Sequence, residues 1–237
     1  MSFFPPSPAV RWRFFCLSSA AVLAFGVATA QAQAPARRTT SFDTDWRFIQ
    51  QDVPGAEQVA FRDATWKTVA VPHDWSIAGP YDREAATGRG GGYLPGGVGW
   101  YRKQFTVPAA ESKRRVVVEF DGVMANSTVW LNGHQLGQRP SGYSSLAYDL
   151  TDYLRPSGQP NVLAVRADNT VQPASRYYTG AGIYRHVRLV STGDTHFTYG
   201  GVFVSAPQAT AAQAKVQVQA EVVNQAAAAG TFTFQVR

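Results

Sequence analysis

The residues best equipped for chemistry lie in one stretch, Ser175–Arg185, which reads Ser-Arg-Tyr-Tyr-Thr-Gly-Ala-Gly-Ile-Tyr-Arg and holds three tyrosines, two arginines and two glycines. A tyrosine presents an apolar ring with a polar tip, matched to the C–H faces and hydroxyls of a sugar, and an arginine adds a rigid fork of donors. Gly180 and Gly182 allow the backbone to turn tightly or to approach a partner. The pattern points to sugar contacts from Arg176, Tyr177 and Tyr178. Composition alone leaves a second reading open, an aromatic-rich opening of a core strand. Arg176 likewise has a scaffold alternative, an ion pair with Asp168.

Other chemistries find little support. Gly88–Gly99 is glycine-rich, yet it contains neither Gly-x-x-x-x-Gly-Lys nor Gly-x-Gly-x-x-Gly, so it reads as a flexible loop over a ligand site or as a plain surface loop. His73, His134, His186 and His196 lack metal-like spacing and cysteine partners, so neither a metal nor a cofactor is expected. There is no Gly-x-Ser-x-Gly elbow. The closest acid pairs outside the strands and the N-terminal segment, Asp82 with Glu84 and Asp149 with Asp152, sit in a loop and a turn where acids are usually solvated or act as caps. No catalytic residue is assigned. Asn126-Ser127-Thr128 matches a glycosylation sequon but runs into a strand.

The elements that must position the tyrosine-rich stretch begin after an N-terminal segment that reads as a secretory signal. Arg11 and Arg13 give a positive start, Cys16–Ala30 is mostly small and apolar, and Ala30-Gln31-Ala32 fits the cleavage pattern. The apolar run is shorter than the ~20 residues of a spanning helix. Cleavage near Ala32 would leave 205 of 237 residues, remove the single cysteine, and take the formal charge from +6 to +4. The remaining Lys and Arg residues form no basic run, which argues against a nucleic-acid partner.

From Phe42 onward, short strands alternate with turn signals and no helical periodicity is sustained, which predicts an all-β fold. In Gly99–Val107, Tyr101, Lys103, Phe105 and Val107 share one face, and Arg102, Gln104 and Thr106 the other. Arg114–Phe120 is rich in β-branched residues, and Thr128–Leu131 runs into Asn132-Gly133, a dipeptide that favours a two-residue hairpin turn, with His134–Gly137 returning. Trp66–Pro72, Leu146–Leu150, Asn161–Ala167 and Ile183–Val190 complete about eight strands, enough for a jelly-roll-like double sheet. After Thr192-Gly193-Asp194, further strands are expected at Phe197–Ser205, Lys215–Val223 and Thr231–Val236. That is too few for an immunoglobulin-like sandwich of about seven, so this part is expected to be incomplete.

Several motifs are then similar to one family. Val71-Pro72-His73-Asp74-Trp75-Ser76-Ile77, Gly97-Val98-Gly99-Trp100-Tyr101-Arg102-Lys103, Phe120-Asp121-Gly122-Val123, Trp130-Leu131-Asn132-Gly133-His134, Gly142-Tyr143, Tyr148-Asp149-Leu150-Thr151 and Ser175–Arg185 resemble, in order, the N-terminal part of the β-galactosidases of glycoside hydrolase family 2. The resemblance implies a jelly-roll sugar-binding domain, an immunoglobulin-like domain and then a TIM barrel that carries two catalytic glutamates. A barrel needs roughly 250 residues, and about 45 follow the jelly roll here, so the catalytic pair is expected outside this chain.

The expected organisation is a signal peptide over 1–32, a linker over 33–41, a jelly-roll sugar-binding domain over 42–192 and an incomplete immunoglobulin-like β-sandwich over 193–237. The expected role is the sugar-binding and scaffold portion of an exported, β-galactosidase-like glycosidase. Its partners would be a β-galactoside-like carbohydrate and the barrel of the same polypeptide, with no membrane after signal cleavage and oligomerisation left open. The alternatives are a free-standing carbohydrate-binding module, in which Tyr177, Tyr178 and Trp100 stack on sugar, and a purely structural brace.

Overall fold

The structure, a computed structural model, describes residues 10–15, 37–231, 233 and 235. The cleavage region near Ala32, Cys16 and most of the expected strand over 231–236 lie outside the described residues. In chain order the strands are β1 (Val10–Phe15), β2 (Arg37–Ser41), β3 (Trp46–Ile49), β4 (Lys67–Val69), β5 (Gly97–Thr106), β6 (Arg115–Phe120) and β7 (Ser127–Leu131). They continue with β8 (His134–Arg139), β9 (Leu146–Asp149), β10 (Pro160–Asn169), β11 (Val187–Thr192), β12 (Thr195–Ala209) and β13 (Ala214–Asn224). Single 3-10 turns at Ala109–Glu111 and Thr151–Tyr153 are the helical content of the described residues. The fold is all-β.

The chain divides into two compact units, one over Thr39–Ser191 and one containing β1, β12 and β13. The first is a double sheet with six strands in the order β4-β3-β5-β10-β7-β8 and four in the order β2-β11-β6-β9. Period-2 alternation turns one face of each sheet inward. Trp46, Tyr101, Leu131 and Leu163 from the larger sheet share one buried cluster with Val116, Val118, Phe120 and Val187 from the smaller. The Asn132-Gly133 hairpin forms as its sequence predicts, with φ of 53° and 84° and Leu131 paired to His134.

Three expectations are corrected. β11 starts at Val187 rather than Ile183, because Tyr184 N donates to Gly182 O at 2.9 Å and holds the preceding residues in a turn. The stretch read as linker ends in a strand, β2, which borders β11 at the sheet edge, and β3 is a strand that its short length concealed. Arg102, expected on the polar face of β5, is only 2% exposed. Its Nε donates to Asp63 Oδ2 at 2.8 Å, and Nη1 donates to the carbonyls of Ala56 and Gln58, so the 56–63 segment folds down over it.

Lys103 does follow the apolar face of β5 and is tolerated there. Nζ donates to Thr44 O at 2.5 Å and lies 4.6 Å from the Phe42 ring centre. A buried ammonium needs such partners to offset lost hydration.

The second unit is a three-stranded antiparallel sheet in the order β1-β13-β12. Ala220, Val222 and Val223 of β13 are buried, whereas β12 leaves Val202, Phe203 and Val204 half or more exposed.

Candidate functional site

The tyrosine-rich stretch runs from the end of β10 to β11, and Asp74 fastens it to the segment after β4. Asp74 Oδ1 accepts from Ser76 N at 3.0 Å and Ala181 N at 3.1 Å, while Oδ2 accepts the Tyr178 hydroxyl. Burial first, and the neighbouring Asp74 carboxylate second, push the Tyr178 phenol well above its ordinary value, so it remains a donor. Beside Asp74, His73 N donates to Ile183 O at 2.7 Å, and His73 Nδ1 lies 2.8 Å from the Tyr101 hydroxyl. Burial raises the Tyr101 phenol and keeps it protonated.

Trp75 closes the arrangement from beneath, 2% exposed. A Cβ on Gly99 would lie 2.5 Å from its ring, and a Cβ on Gly182 would lie 2.8 Å from the same ring and inside the Tyr101 hydroxyl. Gly182 has φ +94°, so both its backbone and its surroundings require glycine. Asn169 Nδ2 adds a bond to Gly180 O at 3.0 Å, and Gln172 Nε2 reaches Asn169 Oδ1 at 2.9 Å.

Over this base opens a cleft of about 490 Å³, lined among others by Asn126, Tyr143, Asp168, Val171, Ser175 and Tyr177. Tyr143 is 60% and Tyr177 65% exposed, so both rings are available as stacking faces. Asp168 Oδ1 accepts from Thr170 N at 3.1 Å and Thr170 Oγ1 at 2.6 Å, and Oδ2 accepts from Arg166 Nη1 at 3.0 Å. Burial alone would raise the Asp168 carboxyl, but the Thr170 and Arg166 bonds outweigh it and hold the group below the usual carboxylate range. It stays an anionic acceptor suited to a hydroxyl.

Asp168 is the only carboxylate among the described lining residues. Glycoside hydrolysis needs two carboxylates flanking the bond, and the described lining supplies one, beside two exposed tyrosine rings. Among the described residues, no group of three or more His, Cys, Asp or Glu could hold a metal ion. None of their helices is long and apolar enough to cross a membrane.

The three residues singled out from the sequence separate in space. Tyr177 lines the cleft, and Tyr178 commits its hydroxyl to Asp74 and lines a smaller recess with Ser76 and Thr87. Arg176 is exposed, lies outside both linings, and makes no hydrogen bond or ion pair among the described residues. The alternative Arg176–Asp168 pair does not form, because Arg166, two residues before Asp168 on β10, takes that carboxylate. Asn126 and Tyr143 also line the cleft and are not among the residues that the sequence pattern singles out. Tyr143 carried a signal, an aromatic after Gly142 in a polar turn, whereas Asn126 reaches the cleft through a tertiary approach that no local pattern encodes.

Residues 98–199 match the profile described as the glycosyl hydrolase 2 galactose-binding domain-like family. The chain carries the galactose-binding-like N-terminal domain of glycoside hydrolase family 2. It is 45% identical over 200 residues to a β-galactosidase of Bacteroides ovatus, covering 84% of this chain and 23% of that protein. It is 40% identical over 186 residues to a putative β-glucuronidase of Formosa agariphila, covering 78% of this chain and 18% of that protein. Among solved structures, a β-glycosidase from Bacteroides vulgatus superposes with a TM-score of 0.76 at 39% identity, over 80% of this chain and 24% of its own. A family 2 member from Bacteroides cellulosilyticus gives 0.73 at 40% identity, over 78% and 24%. The chain therefore spans about a quarter or less of the length of these relatives.

Proposed function

We propose that this chain is the sugar-binding and scaffold portion of an exported family 2 glycosidase with β-galactosidase-like specificity. In the full-length enzyme its Tyr143–Tyr177 cleft would form one wall of the active site, and the catalytic carboxylates would come from a barrel domain of the same polypeptide. The observation that carries the reading is the cleft itself: two exposed tyrosine rings beside an anionic acceptor, Asp168, with no second carboxylate. In this reading the galactoside is favoured by the somewhat higher identity to a β-galactosidase, 45% against 40% to a putative β-glucuronidase. A purely structural brace is the second reading, and Tyr178, spent on Asp74, is the observation that favours it.

A titration of the chain with methyl β-galactoside, followed by amide chemical shifts, separates the two. Saturable shifts around Asn126, Tyr143 and Asp168, with Tyr177→Ala weakening binding about 5- to 30-fold, support the wall. No saturable shift, or binding indifferent to Tyr177→Ala, supports the brace. Sequencing the N-terminus of the secreted product tests export, which requires a start near residue 33 and hence the loss of β1 from the three-stranded sheet.

A further inference from the structure

A second cleft, of about 460 Å³, opens on the outer face of the six-stranded sheet and shares no lining residue with the one around Tyr177. Its floor follows from strand register. Thr68 of β4 pairs with Arg47 of β3, Arg47 pairs with Arg102 of β5, and Gln104 of β5 pairs with Val162 of β10. Phe61, Asp63, Arg155 and Pro160 complete the lining that matters for chemistry.

Its three guanidinium groups have different jobs. Arg102 is spent on Asp63 and on the carbonyls of Ala56, Gln58 and Phe61, and so anchors the loop that borders the cleft. Arg47 makes one bond, from Nη1 to Thr68 Oγ1 at 2.6 Å, and the Arg155 side chain makes one, from Nη1 to Pro160 O at 3.1 Å. Each bond fixes the direction of a fork and leaves its remaining donors uncommitted among the described residues. Against these two charges the lining holds one carboxylate outside the Arg102–Asp63 pair, Asp45, whose field is felt by Lys103. The half-buried Phe61, packed on Trp66 with the Arg102 guanidinium over its ring, adds an apolar side to the lining, and Gln104 and Thr68 add neutral polar groups.

We propose that this cleft binds a saccharide bearing an acidic group, either a uronate carboxylate or a sulfate ester. The volume falls within the ~300–1,000 Å³ of small-ligand sites. Guanidinium forks match planar or tetrahedral anions through paired charge-assisted bonds, and an apolar side with nearby amide and hydroxyl groups suits the sugar that carries the anion. Occupied in this way, the cleft would hold the protein on an acidic polysaccharide.

Calorimetric titration of the full chain with trigalacturonate, with a sulfated galactose disaccharide and with neutral galactotriose tests this. The expected result is saturable binding of at least one acidic probe, at least ~10-fold tighter than the neutral one and weakened at ~0.5 M salt. Binding of the uronate probe alone identifies a carboxylate ligand, and binding of the sulfated probe alone a sulfate ester. Arg47→Ala and Arg155→Ala should each weaken the acidic probe about 10-fold or more, and Gln104→Ala, on an exposed side chain, a few-fold. Tyr177→Ala, in the other cleft, should leave it unchanged. No saturable binding of either acidic probe overturns the proposal, as does binding that survives the double arginine variant or is lost with Tyr177→Ala instead.

Discussion

Two adjacent tyrosines face opposite fates. Tyr178 donates to a carboxylate, and a hydrogen bond to a charged group contributes about 1.5–3 kcal/mol, so Tyr178→Phe should lower the urea midpoint by an amount equivalent to that loss. Tyr177→Phe should move it by less than ~0.5 kcal/mol, as at other exposed positions. Equal effects would place both hydroxyls in the scaffold. His73 supplies a pH signature. Burial first, and Lys67 second, hold it below its ordinary value, with Asp74 partly offsetting them. The folded state therefore favours the neutral ring, and the unfolded chain binds the proton more readily. Its stabilising contribution is complete above the unfolded value of ~6.5 and declines as pH falls below it. Asp43, Asp52 and Asp168, held low, lose theirs only as pH falls below ~3.9. The urea midpoint should fall between about pH 7 and about pH 5, and His73→Gln should flatten that slope; an unchanged slope sinks the assignment. Of the candidate site, Tyr177 was legible because an exposed aromatic in a turn-rich segment announces itself by type. Arg176 lies outside the lining of this cleft, and an arginine's type alone does not report which cleft it borders.

At the scale of elements, the sequence was most informative where one force decided the outcome. The Asn132-Gly133 turn and the inward faces of β5 and β10 follow from local backbone preference and period-2 burial. The burial of Arg102 depends on the 56–63 loop, far away in sequence, and the start of β11 on the adjoining Gly182 turn, which is held by the Tyr184 N–Gly182 O bond; strand alternation reports neither. The junction at Gly182 makes a sharp test. Gly182→Ala combines a left-handed backbone with overlap onto Tyr101 and Trp75 and should cost at least about 3 kcal/mol or abolish soluble expression. Gly158→Ala, at φ +80° with open space around it, should cost about 1–2 kcal/mol. Comparable losses in denaturant melts would show that backbone strain, not packing, rules position 182.

At the scale of the molecule, the described core of the first unit lies wholly within Phe42–Val187. A chain ending at Ser191 should melt cooperatively within a few degrees of the full chain, because no buried cluster is cut. It should also be more soluble, since β12 and its exposed Phe203 and Val204 are removed. A broadened melt would mean that β12 and β13 contribute to the sandwich after all. The matched region makes up 23% and 18% of the two curated relatives described above, and the all-β class was readable because turn residues punctuate strands throughout. The slot that receives Trp75 carries a consequence for divergence. Gly99 on β5 and Gly182 before β11 face the same indole ring, so the three positions are not free to drift one at a time. In a relative where either glycine has gained a side chain, position 75 should hold a smaller residue, and aligned family sequences in which a full indole coexists with a bulky residue at either position would refute the coupling.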